Sequence, residues 1–107
     1  MIQRGEYLDE SGRSPFATWW DTLDDFARMR LTTALLRLTA GNRSNVKGVG
    51  QGVNELKVDF GPGYRVYFGW DDLQLVILLG GGTKKRQQTD IVEAQRRWRD
   101  YKHRKEA

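Results

Sequence analysis

The chain has no cysteine and a single histidine, His103, which sits among lysines and arginines near the carboxyl end. Without cysteine there is no disulfide, no thiolate metal ligand and no cysteine nucleophile. A lone histidine in a run of cations is typical of a solvated surface position, so histidine acid–base catalysis and histidine metal sites are both disfavoured. We therefore expect a site that uses no metal and no cofactor.

Long apolar runs are also missing. No segment approaches the roughly 20 apolar residues that span a bilayer, and the amino terminus lacks the basic-then-apolar pattern of a secretion signal. We therefore expect a cytoplasmic protein with no membrane partner, which the lack of cysteine fits. The 107 residues are enough for one ordinary domain. Because there is no internal repeat, low-complexity segment or break in composition, we predict a single domain over residues 1–107.

Positive charge is concentrated in the second half of the chain. The net charge is +4, with a sequence pI of about 9.6. Met1 to Phe26 holds six acids and two bases, whereas Lys84 to Lys105 holds nine bases and three acids. This distribution is compatible with an anionic partner. A solvated helix face followed by a frayed tail is the alternative explanation for the far carboxyl end.

Residues 53–70 predict a β-hairpin, and Asp71-Asp72 marks the next turn. Residues 53–60 alternate with period two, and Gly61-Pro62-Gly63 has the residues of a turn before a second alternating segment begins at Tyr64. One face of the paired strands then carries Leu56, Val58, Phe60, Tyr64, Val66, Phe68 and Trp70. The other carries Glu55, Lys57, Asp59, Arg65 and Tyr67.

The polar side of this hairpin is the candidate site. Lys57, Asp59, Arg65 and Tyr67 would meet there, and buried unpaired charges cost several kcal/mol, roughly, so we expect the face to meet solvent or a ligand. The alternative is that these side chains only form cross-strand pairs on a solvated sheet.

A third strand and a cationic cluster follow. Residues 73–79 are apolar at nearly every position, which is typical of a central strand covered on both sides. Three glycines, Gly80 to Gly82, are expected to let the backbone leave the sheet sharply. The cations that come next, Lys84, Lys85 and Arg86, could therefore reach the same polar face.

Helix signals occur before and after these strands. Ser14 and Pro15 predict the start of a short helix, Asp24 and Asp25 the start of a second with Leu31, Leu35 and Leu38 on its apolar side, and Gly41 its end. Asp90 with Glu93 predicts a capping box for a last helix, with Ile91, Ala94, Trp98 and Tyr101 as its buried stripe.

With an edge strand within residues 2–8, the predicted order is β-α-α-β-β-β-α. We expect an α+β fold of two layers, in which a small antiparallel sheet packs on an amino-terminal helical hairpin, opposite the polar face. Residues 42–52 are predicted to be a loop. Its cations, Arg43 and Lys47, could contact phosphate, although the glycine spacing is not that of a known phosphate-binding loop.

Several collinear segments resemble the RelE/ParE toxin superfamily, and most closely its HigB-like addiction-module killer proteins. The segments are residues 19–23, 35–42, 47–57, 60–68 and 78–91. The resemblance implies a RelE-like fold and the toxin of a type II toxin–antitoxin module. Many members are endoribonucleases that cut messenger RNA on the ribosome and so inhibit translation. A ParE-like minority inhibits DNA gyrase.

The resemblance also assigns roles to individual residues. Lys57 and Arg65 match the basic residues of the second and third strands, and Lys84 matches the one just past the last strand. Asp59 stands where a second lysine is common, and residues 87–90 contain no catalytic tyrosine or histidine of the kind that some relatives keep there. The proton-transfer roles are therefore open.

The chemistry of RNA cleavage suggests how these residues would act. The 2′-hydroxyl must lose a proton, the charge on the phosphate must be stabilised, and the leaving 5′-oxygen must gain a proton. Arg65 suits the phosphate because it binds oxygens bidentately, and Lys84 adds a point charge. Asp59, or Lys57 in its neutral form, is the candidate base, with Tyr67 as orienter or proton relay. Lys47, Arg43, Lys85 and Arg86 are the candidate RNA contacts.

The resemblance implies an antitoxin as partner, by analogy a helix-turn-helix DNA-binding protein. We expect it to cover either the Lys57/Arg65 face or the surface along Ile91 to Tyr101, with Trp98 and Tyr101 as apolar anchors if that helix is mobile. Messenger RNA and the ribosome are the other expected partners. A gyrase-inhibiting toxin and a non-catalytic nucleic-acid-binding module remain the alternatives.

Overall fold

The chain folds as a five-stranded sheet with helices on both faces. The computed structural model describes residues 1–106, in the order β1 (Gln3–Glu6), α1 (Pro15–Trp20), α2 (Asp25–Thr39), β2 (Val46–Gly48), β3 (Val53–Val58), β4 (Tyr64–Asp72), β5 (Leu75–Thr83) and α3 (Gln87–Glu106). A short 3₁₀ turn, Lys84–Arg86, joins β5 to α3. The predicted α+β class is confirmed. Over the described residues, no helix is long and apolar enough to cross a membrane.

The spatial order of the strands is β1-β5-β4-β3-β2. Strands β3, β4 and β5 form the antiparallel meander that the hairpin signals predict. Strand β1 joins the sheet parallel to β5, so the sheet is mixed rather than wholly antiparallel. The prediction of a loop over residues 42–52 is wrong at β2, which pairs with β3. A strand of three residues next to glycines is too short to show the alternation of polar and apolar side chains.

Helices α1 and α2 begin where the capping residues predict. The Ser14 hydroxyl accepts a hydrogen bond from the backbone N–H of Ala17 at 3.0 Å, and the Asp24 carboxylate accepts one from Ala27 at 2.8 Å. The apolar stripe of α2 lies on the sheet, where buried leucines contact residues of β3, β4 and β5. This cluster contains Phe16, Leu31, Leu35, Leu38, Leu56, Val58, Val66, Phe68, Val76 and Leu78.

Helix α3 covers the opposite face of the sheet. Its buried residues Ala94 and Trp98 pack against Val53, Tyr67 and Leu79. The prediction of two layers is therefore wrong, because α3 adds a third. The cause is visible in the strands, which are apolar on both sides: Val76 and Leu78 face α2, whereas Ile77 and Leu79 face α3.

The start of α3 and the glycines before it differ from the predictions. Asp90 does not cap the helix, because the 3₁₀ turn runs directly into α3 and the helix begins at Gln87. The three glycines do not end the sheet, since β5 continues to Thr83. They permit close packing instead. A Cβ atom on Gly81 would lie 2.3 Å from the Trp19 ring, and one on Gly82 would lie 2.0 Å from the Asp90 carboxylate.

Candidate active site

The hairpin register brings Lys57 and Arg65 together. They are directly opposite on β3 and β4, and Glu55 is opposite Tyr67 on the same face. This agrees with the alternation seen in the sequence. Their surroundings differ, because Lys57 is exposed whereas Arg65 is only 5% exposed. In the structure the polar face therefore consists of Glu55, Lys57, Arg65 and Tyr67, without Asp59.

Arg65 is held in place by neighbouring groups. Its Nε atom lies 3.3 Å from Oε1 of Glu55, close enough for an ion pair although not aligned for a hydrogen bond. Its Nη1 atom donates a hydrogen bond of 2.8 Å to the carbonyl of Gly63. An arginine has five N–H groups. Two of the guanidinium nitrogens are thus engaged by protein contacts, and little of the side chain is exposed to solvent.

Glu55 joins the site to helix α3. Only 1% of this residue is exposed, and its second carboxylate oxygen accepts a hydrogen bond of 3.0 Å from the side-chain amide of Gln87. Gln87 is the first residue of α3. The orientation of Arg65 therefore depends on a buried carboxylate that is itself bonded to the beginning of α3.

A groove of about 280 Å³ opens at this end of the polar face. Strand β2 supplies its far wall, because Lys47 pairs with Glu55 in the register. The lining residues are Ser44, Asn45, Val46, Lys47, Glu55, Lys57 and Arg65. Three cations and one carboxylate line this groove, which we call the basic groove. Its net positive charge suits a phosphate group.

Lys84 lies beside the basic groove at the exit of β5. Its backbone N–H donates a hydrogen bond of 2.9 Å to the carbonyl of Gly63, the same oxygen that Arg65 contacts. Gly63 has a φ of +78°, and a Cβ atom there would lie 3.1 Å from Nη1 of Arg65 and 3.5 Å from Cβ of Lys84. A glycine therefore lets the two cationic residues converge. Lys85 and Arg86 are exposed on the same 3₁₀ turn.

Asp59 and Arg43 lie away from the basic groove. Asp59 follows the end of β3 and lines a different groove, with Arg30 and Arg37 of α2. Lys57 borders both grooves and is therefore the residue between Asp59 and Arg65. Arg43 lies over the ring of Trp70, 4.4 Å from its centroid, and that ring packs with the α2-side core.

Tyr67 is buried beneath α3 and does not reach the groove. It is 1% exposed, and within residues 1–106 its hydroxyl has no hydrogen-bond partner. Burial raises the pKa of Tyr67, and the nearby carboxylates of Glu55 and Asp90 raise it further. Burial likewise raises the pKa of Asp90, against the effect of Arg86 and Arg97. Tyr67 is thus a neutral phenol inside the protein.

Two residues at the site were missed from the sequence. Glu55 had a usable signal, because its place in the alternation puts it on the same face as Lys57. A glutamate directly across from tyrosine and diagonal to arginine is a natural ion-pair partner. Gln87 had no signal, since its contact with Glu55 joins residues that are 32 positions apart and depends on how α3 docks.

Residues 18–99 match the family described as phage derived protein Gp49-like (DUF891). The chain belongs to this family. It is a toxin-like family related to RelE/ParE-type toxins, which confirms the superfamily part of the resemblance and suggests an antitoxin partner. The matched segment contains every candidate site residue, from Arg43 to Arg86. The HigB-like branch is a finer statement that stays a prediction.

One relative is similar over most of its length. An uncharacterized protein of Haemophilus influenzae (strain Rd) is 40% identical over 80 residues, which are 74% of this chain and 81% of the relative. This similarity supports the same family membership, and it adds nothing about mechanism.

Proposed function

We propose that this protein is the toxin of a HigB-like type II toxin–antitoxin module and that it inhibits translation by cutting messenger RNA on the ribosome. The observation that carries the proposal is the convergence of Lys47, Lys57 and Arg65 on the basic groove, with Lys84 beside it. These cations come from four separate parts of the chain. Their meeting at one end of the sheet provides the charge that RNA phosphate requires.

The proposed reaction uses the RNA's own 2′-hydroxyl. That oxygen loses its proton, attacks the adjacent phosphorus and forms a 2′,3′-cyclic phosphate, while the bond to the next nucleotide's 5′-oxygen breaks and that oxygen gains a proton. Arg65 and Lys84 stabilise the charge that develops on the phosphate. Lys57 adds a third positive charge near the phosphate. Because Asp59 lies in the other groove and Tyr67 is covered by α3, a group of the ribosome-bound substrate complex accepts the 2′ proton and another gives a proton to the 5′-oxygen. No metal or cofactor takes part.

The cations of the basic groove support the binding of phosphate, but the proposed site has no evident general acid or base. Tyr67 is buried, and the single histidine, His103, is exposed near the end of α3. An incomplete set of proton-transfer groups supports dependence on the ribosome, which would position the substrate and supply the remaining groups. We therefore expect little cleavage of free RNA.

Cleavage products test this mechanism. In a purified translation system, the wild-type chain should generate messenger RNA fragments with 5′-hydroxyl and 2′,3′-cyclic phosphate ends. Lys57→Ala should lower the rate by a factor on the order of 10²–10³. Arg4→Ala is the matched control, because it removes one exposed positive charge from β1, the edge strand farthest from β2 and the basic groove. Fragments with 5′-phosphate ends would contradict the mechanism, as would equal rates for Lys57→Ala and the control.

The burial of Arg65 also fits two alternatives in which the chain is not an enzyme. A cation that is 5% exposed and paired with Glu55 is also what a purely structural ion pair would look like. The chain would then be a non-catalytic toxin that inhibits gyrase, or a nucleic-acid-binding module. In that case no fragments appear in the translation system, and replication rather than translation stops first in cells.

A further inference from the structure

Helix α2 has apolar side chains on its solvent side as well as on its core side. Leu31, Leu35 and Leu38 are buried in the core. On the opposite side, Phe26, Met29 and Leu36 are 54%, 55% and 58% exposed. Their spacing of three and seven residues places them along one face of the helix. We call these three residues the outer stripe of α2.

The charge around the outer stripe is mainly positive, although Asp25 begins α2 beside it and Asp59 lines the neighbouring groove. No aspartate or glutamate occurs between Asp25 and Glu55, and this segment contains Arg28, Arg30, Arg37, Arg43 and Lys47. Arg30 and Arg37 border the stripe and line a groove of about 300 Å³ that runs between α2 and the end of β3. The surface therefore combines apolar anchors with a cationic border.

Part of this surface is already ordered by its own contacts. The rings of Phe26 and Phe60 lie 5.2 Å apart, and the Arg30 guanidinium lies 4.7 Å from the centroid of Phe60. These contacts fix a half-exposed aromatic side chain next to a cation. A surface with such preorganised anchors loses less conformational entropy when a partner binds.

We propose that the outer stripe of α2 is the docking surface for an acidic amphipathic helix of the antitoxin. The partner's apolar residues would contact Phe26, Met29 and Leu36, and its carboxylates would pair with Arg30 and Arg37. The proposal rests on the toxin–antitoxin part of the proposed function. It is independent of whether the toxin cuts RNA.

The observations favour this occupant over two others. A second copy of the chain would bring Arg30 and Arg37 against like charges, which disfavours self-association. RNA would satisfy the arginines, but it would leave the aliphatic Met29 and Leu36 without a partner, because RNA-binding surfaces use aromatic stacking. An acidic amphipathic helix satisfies both the charges and the apolar side chains.

One of the two antitoxin surfaces expected from the sequence lies on α3, with Trp98 and Tyr101 as apolar anchors if that helix is mobile. The structure engages both within the chain. Trp98 is 5% exposed and packs on the sheet, and the Tyr101 ring stacks on Trp98 at 5.3 Å while its hydroxyl donates a hydrogen bond to Asp71. Docking on α2 requires no such contact to break.

The test measures binding of the 107-residue chain to the product of the adjacent gene, used as the probe. Met29→Glu combined with Leu36→Glu should weaken binding by about 100-fold or more, since truncating or charging central anchors removes most of an interface's affinity. The matched control combines Leu8→Glu with Leu73→Glu, two apolar residues that are 49% and 80% exposed elsewhere. It should bind within about twofold of wild type. Arg30→Glu with Arg37→Glu should weaken binding and reduce its salt dependence.

Three results would overturn the proposal. The first is no binding of the adjacent gene product to the wild-type chain, and the second is equal affinity of the stripe variant and its control. The third is that the stripe variant keeps the protein partner but loses a short single-stranded oligoribonucleotide, which would make this an RNA surface. Thermal unfolding checks that each variant is folded. A chain that binds as expected but fails to cut messenger RNA would contradict only the proposed function.

Discussion

At the scale of single residues, the Glu55–Arg65 ion pair is the feature that most needs a physical explanation. Both groups are almost fully buried, so each loses its hydration and depends on the other. The alternation in the sequence puts Arg65 on the polar face and not in the core, which by itself predicts that Arg65 can be removed without harm to the fold. The structure changes that expectation. A variant that lacks Arg65 would leave the Glu55 carboxylate buried beside α3 without its cation, so loss of toxicity in Arg65→Ala would mix folding with function.

Glu55→Gln tests the role of the pair. We expect the free energy of unfolding to fall by about 3 kcal/mol, because the substitution leaves the Arg65 charge buried without a counter-ion. Urea unfolding followed by circular dichroism measures the change. Glu93→Gln is the control, since Glu93 forms partly exposed pairs within α3 and should contribute about 0.5 kcal/mol or less. Equal decreases in the free energy of unfolding of the two variants would show that burial does not determine how much the Glu55–Arg65 pair contributes to stability.

Asp90 should make stability depend on pH in the unusual direction. Burial raises its pKa above the usual 3.8, so the folded state binds this proton more tightly than the unfolded state does. Between the usual and the raised pKa, stability therefore falls as pH rises. The free energy of unfolding of Asp90→Asn minus that of wild type should therefore be larger at neutral pH than at about pH 3. At about pH 3 the Asp90 carboxyl is protonated, so both side chains are uncharged.

Glu93→Gln provides the comparison of opposite sign. The hydrogen bond from Arg96 lowers the pKa of Glu93, so this carboxylate adds stability as pH rises. The free energy of unfolding of Glu93→Gln, relative to wild type, should therefore be lower at neutral pH than at about pH 3. Unfolding curves at the two pH values decide between the signs. If Asp90→Asn follows the same trend as Glu93→Gln, the surroundings of Asp90 stabilise its charge and our reading of its burial is wrong.

At the scale of elements, the docking of α3 depends on small residues in the sheet. Trp98 lies flat against the backbone, and a Cβ atom on Gly69 would fall 2.6 Å from its ring. Helix α3 also carries Gln87, which bonds to Glu55. Helix α3 thus covers the apolar cluster on its side of the sheet and also fixes Glu55 in the polar face.

Gly69→Ala should destabilise the protein by about 1–3 kcal/mol, because the added methyl overlaps the Trp98 ring and shifts α3. Gly48→Ala is the matched control: Gly48 is also in a strand, but a Cβ atom there would contact nothing within 4 Å. Its stability should stay within about 0.5 kcal/mol of wild type. Equal melting temperatures for the two variants would argue against tight packing of Trp98 on β4.

Most elements were predictable because their signals are local. The caps at Ser14 and Asp24, the spacing of Leu31, Leu35 and Leu38, and the alternation in β3 and β4 all act over a few residues. The errors occurred where distant contacts decide the structure. Strand β2 exists because β3 offers an edge to pair with, and the start of α3 is set by the 3₁₀ turn that leads into it.

At the scale of the whole molecule, the candidate site was predictable in part. The period of two placed Lys57 and Arg65 on one face, and the structure puts them opposite each other. Their exposure was not predictable, since it depends on how distant elements pack around this face: Tyr67 is covered by α3 and Arg65 is 5% exposed, whereas Lys57 is open to solvent. The position of Asp59 was misjudged for a related reason: the strand ends at Val58, so the alternation no longer fixes its direction.

Pulse labelling of cells that express the chain without its partner tests most directly whether the protein stops translation. We predict that methionine incorporation falls first while thymidine incorporation continues, and that Lys57→Ala abolishes this arrest whereas Arg4→Ala does not. Early loss of thymidine incorporation with DNA damage, while protein synthesis continues, would contradict the claim and identify gyrase inhibition instead.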